Sequence, residues 1–324
     1  MKNRRLLLGV AATLALASPL SLQAQSYPTK PVRLVVPFPP GGGTDAFARP
    51  LTKVLSANLG QSFVIDNRGG AGGTLGAEVA AKSAADGYTL LVGAVHHTIA
   101  VSMYPRLGYD LQKDLTPVTV LSYVPNVVVV HPQRVAARNY ASFAQHVKAN
   151  PGKLNYASAG NGTTHHLTVE LWKTLTGRFA THIPYRGAGP ALQDLLAGQV
   201  DFMFDGMGSS IQHIKSGRLI ALAVSSAQRS FALPDLPTLE ELGVKGYDAR
   251  TWYAVWAPAG TPRDIVNRLQ QEISKALSGA ELKGIWESLG AEAGGQSPED
   301  MGKFVDSEIA KWAKVVKDSG AKLD

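Results

Sequence analysis

Twice in this chain a short apolar run ends in a glycine-rich loop that opens directly into a helical pattern. The first junction reads Val35-Val36-Pro37-Phe38-Pro39-Pro40-Gly41-Gly42-Gly43-Thr44-Asp45, the second Tyr156-Ala157-Ser158-Ala159-Gly160-Asn161-Gly162-Thr163-Thr164-His165. A strand that turns through glycine into a helix begins a βα unit, so two α/β units are expected. Strands of the first unit are read at 31–38, 63–65 and 88–92, with helices from near Thr44 and over 77–81. The pattern restarts with strands at 127–130, 154–157, 182–185, 200–204 and 220–224 and helices at 143–149, 165–176 and 190–196.

The last third reads differently. A strand is expected at 252–256, then a turn over 258–262 in which Thr261 caps a helix and Pro262 is its first residue. Ile265, Leu269, Ile273 and Leu277 recur at helical spacing, and Phe304, Ile309, Trp312 and Val315 mark a final helix. Folding this tail back on the first unit gives an α/β protein of two lobes. Residues 25–125 plus 249–324 form a discontinuous lobe 1, and 126–248 form lobe 2. Crossings near Val124-Pro125 and over 247–250 are the expected hinge.

Lys2, Arg4 and Arg5 precede an apolar run over 6–16, and Gln23-Ala24-Gln25 follows. That is the layout of an export leader cut after Ala24, with a run too short to span a bilayer. Removing it leaves +4 of the formal +7 charge, spread along the chain without the basic clusters that nucleic acid requires. There is no cysteine, which excludes disulfides and thiolate metal sites.

The two glycine loops are the candidate site. Glycine lets a ligand approach backbone N–H groups, and a helix N-terminus adds unpaired donors and partial positive charge. Two such loops can grip a small anion such as a carboxylate without Lys or Arg. Arg186, at a strand exit, is a candidate carboxylate partner, and Asp45 and Asp205 stand at strand ends. The first loop lacks the Lys of a phosphate-binding loop, so no nucleotide or other cofactor is expected. His96-His97 and His165-His166 lack metal-ligand spacing, so no metal is expected; one member of each pair is a candidate donor to a ligand. No G-x-S-x-G elbow is present, and no catalytic residues are assigned.

The first junction resembles the opening motif of the Bug family, extracytoplasmic receptors of tripartite tricarboxylate transporters. Six further stretches resemble it in order: 67–73, 84–90, 156–163, 184–187, 233–238 and 257–262. The resemblance implies a periplasmic two-lobed binding protein of the Venus flytrap type, type II-like, with a carboxylate ligand. It implies a site built from Phe38, Pro40, Gly42, Gly43, Thr44 and Asp45 on one side. Ser158, Ala159, Gly160, Thr163 and Asp205 form the other, and His97 lies in the loop after the third strand. The chain departs from the family where Ala100-Val101 replaces an Asn-Pro pair.

The expected function is therefore a solute receptor, a monomer that delivers a di- or tricarboxylate, acidic amino acid or aromatic acid to membrane transport subunits. The alternatives are a receptor reporting to a sensor protein and, from a different class, a periplasmic hydrolase of a carboxylate ester. N-terminal sequencing of the exported protein should read from Gln25; a chain retaining Met1 would remove the leader.

Overall fold

The structure, a computed structural model, describes residues 27–323. The expected leader lies outside them. Two βαβαβ units of the same order build the molecule. The first comprises β1 (Val32–Val36), α1 (Gly43–Leu59), β2 (Phe63–Asn67), α2 (Thr74–Ala81) and β3 (Thr89–Ala94), with β1 parallel to both β2 and β3. An eight-residue helix, α3 (His96–Met103), follows β3 at once.

A long strand, β4 (Leu115–Val130), then leads to α4 (Tyr140–Ala149) and the second unit. That unit is β5 (Asn155–Ser158), α5 (Thr164–Thr176), β6 (Thr181–Pro184), α6 (Ala188–Leu196) and β7 (Phe202–Gly206), with β5 parallel to β6 and β7. After α7 (Met207–Lys215) and β8 (Ile220–Val224), β9 (Arg250–Pro258) returns to the first unit and pairs antiparallel with both β3 and β4. The tail is α8 (Arg263–Ser278), α9 (Ala280–Ser288), a two-residue β10 (Glu292–Ala293) and α10 (Pro298–Ser319).

One strand serves both halves. From Leu115 to Pro125, β4 pairs with β9; from Asn126 to Val130 it pairs with β7 on one side and β8 on the other. The sheet order β2-β1-β3-β9-β4-β7-β5-β6 is therefore continuous. Side chains alternate across it as a pleat requires. Val127, Val129, Tyr253 and Val255 enter one core, while Val128, Val130, Trp252 and Trp256 enter the other. With both faces covered, these strands read as unbroken apolar runs.

Three local expectations are corrected. The helix at the 258–262 turn begins at Arg263 with Pro262 as its cap, and the Thr261 hydroxyl instead donates to the Pro258 carbonyl at 2.7 Å. Residues 96–98, read as loop, are the first turn of α3. The strand read at 127–130 is only the end of β4.

The tail is fixed by a buried carboxylate. Glu308 Oε2, on α10, accepts the indole N–H of Trp252 at 2.8 Å and of Trp312 at 3.0 Å. Both indoles are fully buried, so neither donor has water in reserve. Glu308→Ala should cost roughly 3 kcal/mol, since two buried donors each lose a charge-assisted partner. Urea denaturation measures this, and a loss below about 1 kcal/mol would show that α10 is held by packing alone.

Candidate functional site

Residues at or just past the carboxyl ends of β1, β3, β5 and β6 line a small cavity of about 20 Å3. This is where ligands bind in open α/β sheets. Four helices start on it. Gly43 and Thr44 open α1, His96 opens α3, Thr164 and His165 open α5, and Ala188 opens α6. α1 belongs to the first unit and α3 directly follows it, while α5 and α6 belong to the second. The first N–H groups of a helix have no partner within it, so four sets of donors and four positive dipole ends converge. Phe38, Ala159 and Thr163 line the cavity from the glycine loops, and Thr251 and Tyr253 from β9. Among the described residues, no Lys, Arg, Asp or Glu lines it.

The first loop is held by Asp45. Its carboxylate accepts the Gly41 N–H at 3.1 Å and is gripped by Arg49 at 2.7 and 2.8 Å. Asn67 donates to the Phe38 carbonyl at 2.7 Å, tying the loop to β2. Asp45 thus faces its own loop and helix and does not line the cavity, so its resolved work is positional. Gly43 is a steric necessity. A Cβ there would lie 1.9 Å from the Tyr253 hydroxyl, whose ring stacks on Phe47.

The second loop is held by Ser158, whose Oγ accepts the Gly160 N–H at 3.1 Å and lies 2.6 Å from His182 Nε2. Burial holds the His182 imidazole down at about 3, with His166 and Lys173 adding to the effect. The pair has the distance of a nucleophile and base. However, Ser158 is fully buried and lines neither this cavity nor the vestibule beside it.

Asp205 is also one step removed. It is fully buried and accepts the Ser209 and Ser210 hydroxyls at 2.7 and 2.6 Å. Its other oxygen lies 3.0 Å from His165 Nε2, and it is His165 that reaches the cavity.

The histidine pairs divide. His96 and His165 line the cavity; His97 does not. The His97 Nδ1 lies 3.1 Å from the Tyr109 hydroxyl, and its ring meets Trp256 edge-on. Burial holds His97 down at about 3. His96 is likewise held well below its ordinary value by burial, then by His97 and His165. The rings of His96 and His97 touch, with centroids 3.9 Å apart.

Beside the inner cavity lies an open vestibule of about 310 Å3, sharing Phe38 and Ala159 with it. Gly160 and Arg186 line this outer space, and among the described residues no hydrogen bond or ion pair engages the Arg186 guanidinium. Pro40 lines neither space. Its carbonyl instead approaches Gly189, where a Cβ would sit 2.7 Å away, so the two units' loops meet backbone to backbone. The Tyr104 hydroxyl donates across the same cleft to the Asn161 carbonyl at 3.0 Å.

The profile of the family described as "Tripartite tricarboxylate transporter family receptor" matches residues 47–321. Protein BugT of Bordetella pertussis is 41% identical over 314 residues, covering 96% of this chain and 95% of that protein. A solved R. palustris protein with adipate superposes with a TM-score of 0.89 at 40% identity, covering 92% of this chain and all of that one. MatC from Rhodopseudomonas palustris with bound malate gives 0.85 at 35% identity, covering 90% and 100%.

Gly43→Ala should force Tyr253 off Phe47 and cost about 1–3 kcal/mol by overpacking. Adding Tyr253→Phe should recover part of that loss, because the hydroxyl is the nearest clashing atom. Thermal melts of the single and double variants read this directly, and an additive double variant would refute the steric account.

Proposed function

This chain belongs to the tripartite tricarboxylate transporter receptor family, and from that premise we propose that it captures a small carboxylate between two lobes outside the cytoplasmic membrane. The observation that carries the reading is the convergence of four helix N-termini on one cavity, two from each half of the sheet. Such donors stabilise an anion without a fixed cation. The adipate and malate of the two solved relatives support the same ligand class.

The lobes are residues 25–125 plus 249–324, and 126–248. The cavity, with room for about one water, is smaller than any carboxylic acid ligand. Entry therefore requires the lobes to part, with bending where β4 changes partners between Pro125 and Asn126 and where β9 begins at Arg250. The Tyr104–Asn161 bond and the Pro40–Gly189 contact break on opening. One carboxylate occupies the inner cavity, and the rest of the ligand extends past Phe38 into the vestibule. Arg186 meets a second acidic group there. Gly42, Gly43, Thr44, Ala159 and Thr163 act at the inner end, while Asp45, Ser158 and Asp205 hold the groups that do.

The receptor is a monomer that passes its ligand to membrane transport subunits. A catalytic role is not part of this reading, because Ser158, the residue with a base in place, is sealed from both spaces.

The test is thermal denaturation of refolded protein against mono- and dicarboxylic acids. A ligand at about 100 times its Kd adds roughly 2.7 kcal/mol, a rise of several degrees for a chain this long. Arg186→Gln should weaken a dicarboxylate up to about fivefold while sparing a monocarboxylate, the size expected of one exposed charge pair. Stabilisation by no acid would refute the reading, and equal losses for both classes would remove Arg186 from the site.

A further inference from the structure

We propose that the cavity binds a carboxyl group together with one proton, held on His165 Nδ1. The inference rests on the receptor reading above and adds the ionic form in which the ligand is held.

The argument is one of tautomers. His165 Nε2 lies 3.0 Å from Asp205 Oδ1, whose carboxylate is fully buried and, among the described residues, forms no other ion pair. That contact is a hydrogen bond only if a proton lies between the two atoms. A neutral imidazole carries one N–H, so with that proton committed to Asp205 the Nδ1 atom presents a lone pair. Nδ1 is buried and has no partner among the described residues, and His165 lines the cavity. A carboxylate placed against Nδ1 would set lone pair against lone pair. The opposite tautomer frees an N–H for the ligand but turns the Nε2 lone pair on Asp205. Both contacts hold together only when the His165–Asp205 pair carries one proton more than a neutral imidazole and a carboxylate. That proton comes from solvent as the ligand enters, or arrives on the acid itself.

The surrounding groups favour His165 as its seat. From α3, His96 faces it, but His96 has no carboxylate partner and is held neutral by burial beside His97. From β9, the Tyr253 phenol is pushed up by burial and by Asp205 and stays protonated. From α7, Ser209 and Ser210 donate to Asp205, and His213 acts on it at longer range. Among the described residues, no lysine or arginine lines the cavity to supply the charge instead.

The experiment is isothermal titration calorimetry of the refolded mature protein with adipate, malate, glutamate and benzoate. Each acid that binds is titrated at pH 8 in two buffers of different ionisation heat. The expected result is uptake of about one proton per ligand. Kd should weaken about tenfold from pH 7.5 to 8.5, the slope that linkage to one proton requires. His165→Gln keeps a donor without a titrating ring, so it should still bind and should lose both the uptake and the slope. Zero uptake with a flat Kd in the wild-type protein would overturn the proposal while leaving the receptor intact. Retained uptake in His165→Gln would overturn its assignment to this residue. Binding of none of the four acids would instead strike the receptor reading itself.

Discussion

Every feature of the site depends on β4 being one strand in two environments. Its 16 residues pair first with β9 and then, beyond Pro125, with β7 and β8. The strand therefore fixes the two βαβαβ units edge to edge in a single sheet. Each unit has its first strand in the middle, as β2-β1-β3 and as β7-β5-β6. The equivalent loops after β1 and β5 consequently carry equivalent helices, α1 and α5, to opposite sides of one cavity. Neither unit alone encloses anything; the cavity exists because a shared strand sets two such loops against each other.

Close approach is what the glycines supply. Gly43 leaves space for the Tyr253 hydroxyl, and Gly189 lets one loop's backbone rest on the Pro40 carbonyl of the other. Backbones this close leave the inner space room for about one water, and a low-dielectric surround is what gives a helix N-terminus its electrostatic weight. Asp45 and Asp205 serve the same end from behind. Each carboxylate is satisfied by its own neighbours, Arg49 and Gly41 for one, two serines and His165 for the other. Neither therefore opposes an anion at the cavity wall.

The fold was legible to the extent that its signals were local. Strand–glycine–helix junctions announced β1–α1 and β5–α5, because a turn needing glycine leaves glycine in the sequence. The helix α3 left no such mark: Val95 precedes it with no capping side chain, and the run His96-His97-Thr98 looks like loop. The first two-thirds of β4 were obscured by Pro117, Ser122 and Pro125, which an interior strand seldom carries. The glycine loops of the site were visible for the same local reason as the junctions. Thr251 and Tyr253 were not, since they arrive on an antiparallel strand from the far end of the chain. The histidines were visible as pairs, but which member faces inward depends on the phase of a helix whose start was not marked.

On the receptor reading, a wall built from helix-end donors and hydroxyls, with no Lys or Arg among the described lining residues, suits more than one acid. An arginine in the inner cavity would have to be stripped of water on every closure, and a buried unpaired guanidinium is costly. Backbone N–H groups at helix ends and threonine hydroxyls are already oriented by the fold, so less ordering is required when an anion arrives. Their geometry answers to a carboxylate head and carries little information about what the head is attached to. On that reading discrimination falls to the outer space, which Phe38, Arg186 and loops 70–72 and 160–161 line. On the proposed reading those residues meet only the distal part of a ligand. Under the proposed function, substitutions there change which acid is bound without disturbing the shared strand, the glycine contacts or the converging helices.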